Sequence, residues 1–273
     1  MNEPPPHGIT SEIVQLRMKI FLRSPLRRRL LARQMRLLDK VGGQQVLEMS
    51  GDDAASAAMQ NAGGGGGGVW HSVATAETQA ELLAESGIER IHLAALPQLP
   101  FEEGAFDAVV VSEMLEYVEN PTDLMAELHR VMRSKTRLIL HVRRKRRTLV
   151  GLFRRLSGLT DPTRPMVRPG FTPTELFDVL KDGFDVQETA GLGRFFTEFA
   201  SLLAELFAGV IPSSCEPGAL SERGLRRAAA VYAAFAPVFW LAGFLDVLFF
   251  FLPEHHMVLR AKRRMMWVPR VTP

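Results

Sequence analysis

Short β-branched runs alternate with stripes of apolar residues at helical spacing through the middle of this chain, and that alternation sets its architecture. Phe106-Asp107-Ala108-Val109-Val110-Val111, between Gly104 and Ser112-Glu113, has the continuous apolar character of a strand buried on both faces. Asn120 can cap the helix that follows. Pro121 suits its first turn, Asp123 its positive end, and Leu124, Leu128 and Val131 form its buried stripe. Arg137 to Val142 reads as the returning strand, which completes a parallel βαβ unit with a right-handed crossover. Upstream, Gln45 to Met49, Val69 to Val73 and Ile91 to Ala95 read as three further strands. A helix runs from Ala54 to about Asn61, and the six glycines Gly63 to Gly68 read as a flexible turn.

The flanks differ from the middle. From Ser11, Ile13, Leu16, Ile20 and Phe21 share a helix face, and a second, basic helix covers Arg27 to Leu38 beyond Ser24-Pro25. Thr172 and Glu175 form a capping box with Pro173 in the first turn, and Gly183 closes that helix before the strand Phe184 to Glu188. Phe195 to Phe207 is amphipathic. Ala228 to Leu252 is nearly all apolar, with Pro237 and Asp246 as expected breaks, and His256 to Ala261 is a last strand. The apolar stretch is long enough to span a bilayer, but a single crossing would strand the final β-strand on the far side. A re-entrant or interfacial hairpin, a buried cap or a dimer face are the forms that remain.

Composition adds modest constraints. The 273 residues suit one large α/β domain with elaborations, and 47% are hydrophobic. The lone cysteine, Cys215, forms no disulfide within the chain and brings no metal cluster, so no metal site is expected and a reducing compartment is. The first ten residues, rich in proline, read as a disordered lead without the order of a secretion signal. The formal charge is only +3, yet six arginines fall between Arg23 and Arg36, and Arg143 to Arg147 is unbroken. No aromatic-interleaved RNA-binding pattern accompanies them, so nucleic acid is not the expected partner. Set beside Leu149, Leu152, Phe153 and Leu156, the second run has the makeup of an interfacial helix, and an anionic membrane surface is the expected partner.

Leu99-Pro100-Phe101, Phe106-Asp107, Leu115-Glu116-Tyr117 and Asn120-Pro121 together resemble the class I S-adenosylmethionine-dependent methyltransferases, especially the group called methyltransferase type 11. The resemblance implies a doubly wound, mostly parallel seven-stranded Rossmann-like sheet whose last strand is antiparallel. It divides the chain into an N-terminal basic helical extension (1–40), the α/β core (41–194), a hydrophobic helical insertion (195–253) and the last strand with its tail (254–273). Arg168 to Thr172 is also similar to a block of methyltransferases in cell-surface polysaccharide and lipid pathways, and Leu245-Asp246-Val247-Leu248 to one before the last strand of family members.

The family's cofactor is S-adenosylmethionine, and the resemblance places its contacts at Glu48, Ser50, Gly51, Asp52, Glu77, Leu96 and Leu99. The family pattern is broken there. Ser50, Asp52 and Ala54 stand where glycines let a backbone approach the cofactor, and Ala74 and Ala95 where carboxylates are usual. Glu113 and Tyr117, at the carboxyl edge of the fourth strand, are the candidate catalytic residues. The expected activity is methyl transfer to a lipid-linked, glycan or hydrophobic small-molecule acceptor on the cytoplasmic face of a membrane. The alternative is a catalytically silent binding module of the same fold.

Overall fold

The computed structural model describes residues 9–64, 67–145, 150, 153, 166–211, 213–215 and 220–268. The expected Pro-rich lead up to residue 8 and most of the basic segment after Lys145 lie outside the described residues.

The strands are β1 (Gln45–Ser50), β2 (Val69–Ala74), β3 (Ile91–Leu93), β4 (Phe106–Ser112), β5 (Met132–Arg143), β6 (Phe184–Leu192) and β7 (His256–Arg263). They form one sheet in the order β3-β2-β1-β4-β5-β7-β6, parallel except for β7, which runs antiparallel to both neighbours. This is the expected fold. The strand pattern was legible because each central strand is covered on both sides. Val46, Ala108, Val110, Ile139 and Val258 face α2 (Pro25–Leu38) and α3 (Asp53–Gly64). Leu47, Met49, Val109, Val111, Leu138 and Leu140 face α5 (Pro121–Val131) and α6 (Pro173–Leu180), while α4 (Glu77–Glu85) packs near β2 and β3. Asn120 caps α5 by accepting from the Thr122 amide, and the Thr172–Glu175 capping box is present in full.

Two glycine readings change. The helix α3 runs into the glycine run, and a side chain on Gly63 would meet the Trp70 ring at 2.4 Å, so that position needs glycine for packing. Gly183 does not close α6, which ends at Leu180. A Cβ there would strike Trp267 at 2.2 Å.

A third layer joins the two ends of the chain. The helix α1 (Ser11–Arg23) packs with α7 (Phe195–Ala208), α8 (Glu222–Ala234) and α9 (Ala236–Leu248) around Ile13, Ile20, Ala204, Leu225, Tyr232 and Phe239. The N-terminal extension and the insertion therefore share one core. Pro237 lies just inside α9, after the break at Phe235. Asp246 is no break. It sits buried within α9 and caps α7, accepting from the amides of Phe196 at 2.9 Å and Thr197 at 3.2 Å and from the Thr197 hydroxyl. Among the described residues no single helix is long and apolar enough to cross a membrane. The pair α8 and α9, bent by 53°, passes only jointly.

Replacing Asp246 with alanine leaves two amides and a hydroxyl at the start of α7 unsatisfied in a buried place. Urea unfolding of Asp246→Ala is expected to show a loss of about 2–3 kcal/mol relative to the unaltered chain.

Candidate active site at the carboxyl edge of the sheet

Parallel strands point their carboxyl ends to one edge, and the crevice there opens where the chain order reverses, between β1 and β4. The Gly51 amide reaches the Ser112 carbonyl across it at 3.4 Å. The turn after β1 is tied down from below and above. Ser50 accepts the Asp52 amide on its hydroxyl, at 3.1 Å, and the Gln79 side-chain amide on its carbonyl, at 2.7 Å. Asp52 pairs with Arg27 of α2, and Asp53 with Arg17 of α1, whose Nε lies 3.0 Å from each carboxylate oxygen. The Arg17–Asp53 pair is closed off from solvent. Arg27 keeps one buried donor, Nη1, with no hydrogen-bond partner among the described residues.

The expected contact residues separate into different roles. Ser50, Gly51 and Asp52 stand at the crevice. Glu48 lies beneath it, 1% exposed, its two oxygens accepting from the Ser56 hydroxyl at 2.9 Å and the Ser72 hydroxyl at 3.1 Å. Glu77 is an exposed residue opening α4, while Ala74 is fully buried. Leu96 packs against the main core and Leu99 is part of it, with its amide bound to Glu127 at 2.9 Å.

Glu113 is held in the left-handed region at φ +50°, a strained conformation for a non-glycine residue. Its amide bonds the His141 carbonyl at 2.9 Å, and its side chain turns toward β5 and β7. One carboxylate oxygen meets His256 Nδ1 at 3.3 Å and His141 Nε2 at 3.6 Å. The other meets Arg143 at 3.2 Å. His256 Nε2 in turn lies 2.7 Å from Glu198 of α7. Burial pushes His141 down to about 3 against the pull of Glu113. His256 rises to about 9, because the flanking Glu198 and Glu113 outweigh its burial. Arg143 holds Glu113 well below the usual carboxylate range despite desolvation. Glu116, fully buried, is pushed by burial and by Glu113 up to about 7, and one oxygen accepts the Arg143 amide at 2.5 Å. Tyr117 is half-buried at the same edge.

Sequence reasoning found Glu113 and missed His141, His256, Glu198, Arg17 and Arg27. The only available signal was an isolated histidine at the end of each of two apolar strands, since the partners lie dozens of residues apart.

Burial raises Glu48 from 4.5 to about 7. The folded chain holds that proton more tightly than the unfolded one, so this stabilisation is complete below pH 4.5 and is lost as pH rises to about 7. Glu48→Gln removes the ionisation. Its stability relative to the unaltered chain should rise by about 1.4 kcal/mol per pH unit across that window and level off above it, as read by urea unfolding at each pH.

Residues 51–140 match a family model described as a methyltransferase domain. No curated protein matches the sequence. Among solved structures, the [4+2]-cyclase SpnF aligns with TM-score 0.55 and 17% identity, over 87% of this chain and 82% of that one. Geranyl diphosphate C-methyltransferase from Streptomyces coelicolor A3(2), solved with Mg2+, geranyl-S-thiolodiphosphate and S-adenosyl-L-homocysteine, aligns with TM-score 0.54 and 13% identity, over 87% and 76%. A methyltransferase-like structure from Bacillus halodurans C-125 gives 0.54 and 14%, over 86% and 99%. At such identities the structures speak for the fold. The family match runs from the turn after β1 into β5, the same strands that meet at the crevice, so this part of the chain is similar to a methyltransferase domain and the sheet around it has the fold of the solved methyltransferases.

Proposed function

We propose that the chain moves a methyl group from S-adenosylmethionine to a hydrophobic or lipid-linked acceptor, with the cofactor's methionine end at the turn after β1. The observation that carries this reading is the buried Nη1 of Arg27 beside that turn, which has no hydrogen-bond partner among the described residues and is a donor suited to a carboxylate. Ser50 and Gly51 supply backbone at the same place, and Arg27 fixes the turn through Asp52. The cofactor supplies an electrophilic methyl on a sulfonium. The protein's part is to orient an acceptor at the edge beside Glu113 and Tyr117 and to exclude water, which is where most of the rate gain of such a displacement arises. Glu113 is a weak base in this setting, since Arg143 keeps it ionised well below the usual range.

A silent binding module is the second reading, and specific features favour it. Both carboxylates of the turn are engaged by arginines, and positions 74 and 95 carry alanine where the adenosine end of the cofactor would seek acids.

The acceptor class rests on the helical layer. A cleft of about 760 Å³ lies between the α1–α2 corner and α8–α9, lined by Arg28, Arg29, Phe239, Trp240, Phe244 and Val247. Trp240 is 75% exposed, and Phe250 and Phe251 beyond α9 about as much. Of the six arginines between Arg23 and Arg36, Arg23, Arg27 and Arg33 are spent on internal partners, which leaves Arg28, Arg29 and Arg36 facing solvent. Two of those three flank the aromatic side chains, so charge and apolar area coincide at one face, as in interfacial membrane binding.

Calorimetry with S-adenosyl-L-homocysteine tests the first claim. Asp52→Gly removes the side chain at the turn and releases Arg27. It should tighten binding about tenfold, or ~1.4 kcal/mol. No binding by either form at millimolar ligand would select the silent module. For the surface, the unaltered chain should sediment with vesicles containing phosphatidylserine, partly resistant to high salt. Trp240→Asp with Phe244→Asp should abolish the resistant fraction while leaving the fold intact, because both side chains are exposed. Failure of the unaltered chain to sediment at low salt would make this face a protein interface.

A further inference from the structure

We propose that Glu113, His141 and His256 form a three-ligand site for one divalent transition-metal ion of the zinc or iron(II) class, at the carboxyl edge of the sheet. The three candidate ligand atoms are Glu113 Oε1, His141 Nε2 and His256 Nδ1. Their separations are 3.0 Å between the two nitrogens, 3.3 Å from Glu113 to His256 and 3.6 Å from Glu113 to His141. A triangle of those sides has a circumscribed radius of about 1.9 Å. A point about 2.1 Å from all three atoms, the usual metal–imidazole and metal–carboxylate distance, therefore exists about 0.9 Å out of their plane. The three atoms as they stand meet the distance requirement. Two imidazoles and one carboxylate on one side of an ion are the donor set of mononuclear zinc and non-haem iron(II) centres, and they leave positions open for an oxygen ligand. Two nitrogens argue against magnesium, which takes oxygens.

The surroundings are built as such sites are. His256 Nε2, the nitrogen facing away from the candidate ion, lies 2.7 Å from the buried Glu198 carboxylate, an ion-pair contact that places a carboxylate behind the imidazole where metal sites commonly have one. Arg143 holds the second oxygen of Glu113 at 3.2 Å. The histidines cannot drift. His141 stands on β5, whose residues pair with β7 from Arg137 to Arg143, and His256 opens β7, so the two rings are diagonal neighbours on one face of the sheet. The third ligand comes from a strained residue whose left-handed backbone turns its carboxylate onto that pair. Both histidines are buried, and Glu113 keeps 24% exposure, which gives an ion and its further ligand a way in from the crevice. The site stands whether or not the domain transfers methyl groups.

Tag-free, chelator-stripped full-length protein titrated with Co2+, and in parallel with Zn2+, tests the proposal. One Co2+ per chain should bind with visible d–d absorption, and Zn2+ should displace it. Glu113→Gln and His141→Phe should each lower affinity at least a hundredfold, and Glu198→Gln about ten- to a hundredfold with the spectrum retained. His92→Gln, at the separate His71–His92 pair on β2 and β3, should change nothing. Because His141 is buried and its replacement can disturb folding, nitrogen-15 NMR of histidine in the unaltered chain gives a second reading. Zn2+ should shift His141 Nε2 and His256 Nδ1 and leave His71 and His92 unmoved. Absence of saturable binding by the unaltered chain at millimolar ion, or binding that follows His92 instead of His141, overturns the proposal.

Discussion

The buried ion pair between Arg17 and Asp53 is the contact on which the arrangement of this protein depends. A guanidinium removed from water must be fully partnered, and Arg17 is: Asp53 takes its Nε side, and the Ser214 carbonyl takes Nη1 at 2.9 Å. Those three residues belong to the N-terminal helix, the first turn after β1 and the loop ahead of α8. One side chain thus pins the helical layer to the α/β core at the edge where the crevice opens. Loss of either charge would leave the other buried alone, a cost of about 3–5 kcal/mol.

That constraint shapes the site. Arg17 and Arg27 hold adjacent carboxylates of the same turn, so the ordering of the N-terminal helices and the shape of the turn after β1 are one event. On the other side of the crevice a second charged network, Glu198–His256–Glu113–Arg143, ties α7 to β4, β5 and β7. The two networks flank the reversal in strand order. The sheet aligns with those of a [4+2]-cyclase and of a methyltransferase alike, so the fold by itself does not fix the chemistry at this edge.

The helical layer serves two surfaces with one set of helices. Its inner side is small and tightly packed, with Ala200, Ala204, Ala228 and Ala229 letting α7 and α8 approach closely. Its outer side carries Trp240, Phe244, Val247, Phe250 and Phe251 largely in solvent. That exposed apolar area lies beside the exposed Arg28 and Arg29 of α2.

The amino-acid sequence by itself determined the elements whose causes are local. Strand β4 could be read because both its faces are buried, α5 because Asn120 caps it, and α6 because Thr172 and Glu175 bond each other across three residues. The parallel βαβ unit from Phe106 to Val142 followed from these, and the seven-stranded sheet with its antiparallel last strand was legible through the family resemblance of Leu99 to Pro121. Tertiary structure alone decided the rest. Asp246 reads in sequence as a helix break and is instead a cap for a helix 50 residues earlier. Glu48 reads as a cofactor ligand and is bound beneath the turn by Ser56 and Ser72. Glu113, His141 and His256 are unremarkable one by one, with separations in the chain that match no motif. Long-range pairing of β5 with β7 is what brings them within 3.6 Å, and no periodicity or spacing along a chain records which distant residues a sheet will place side by side.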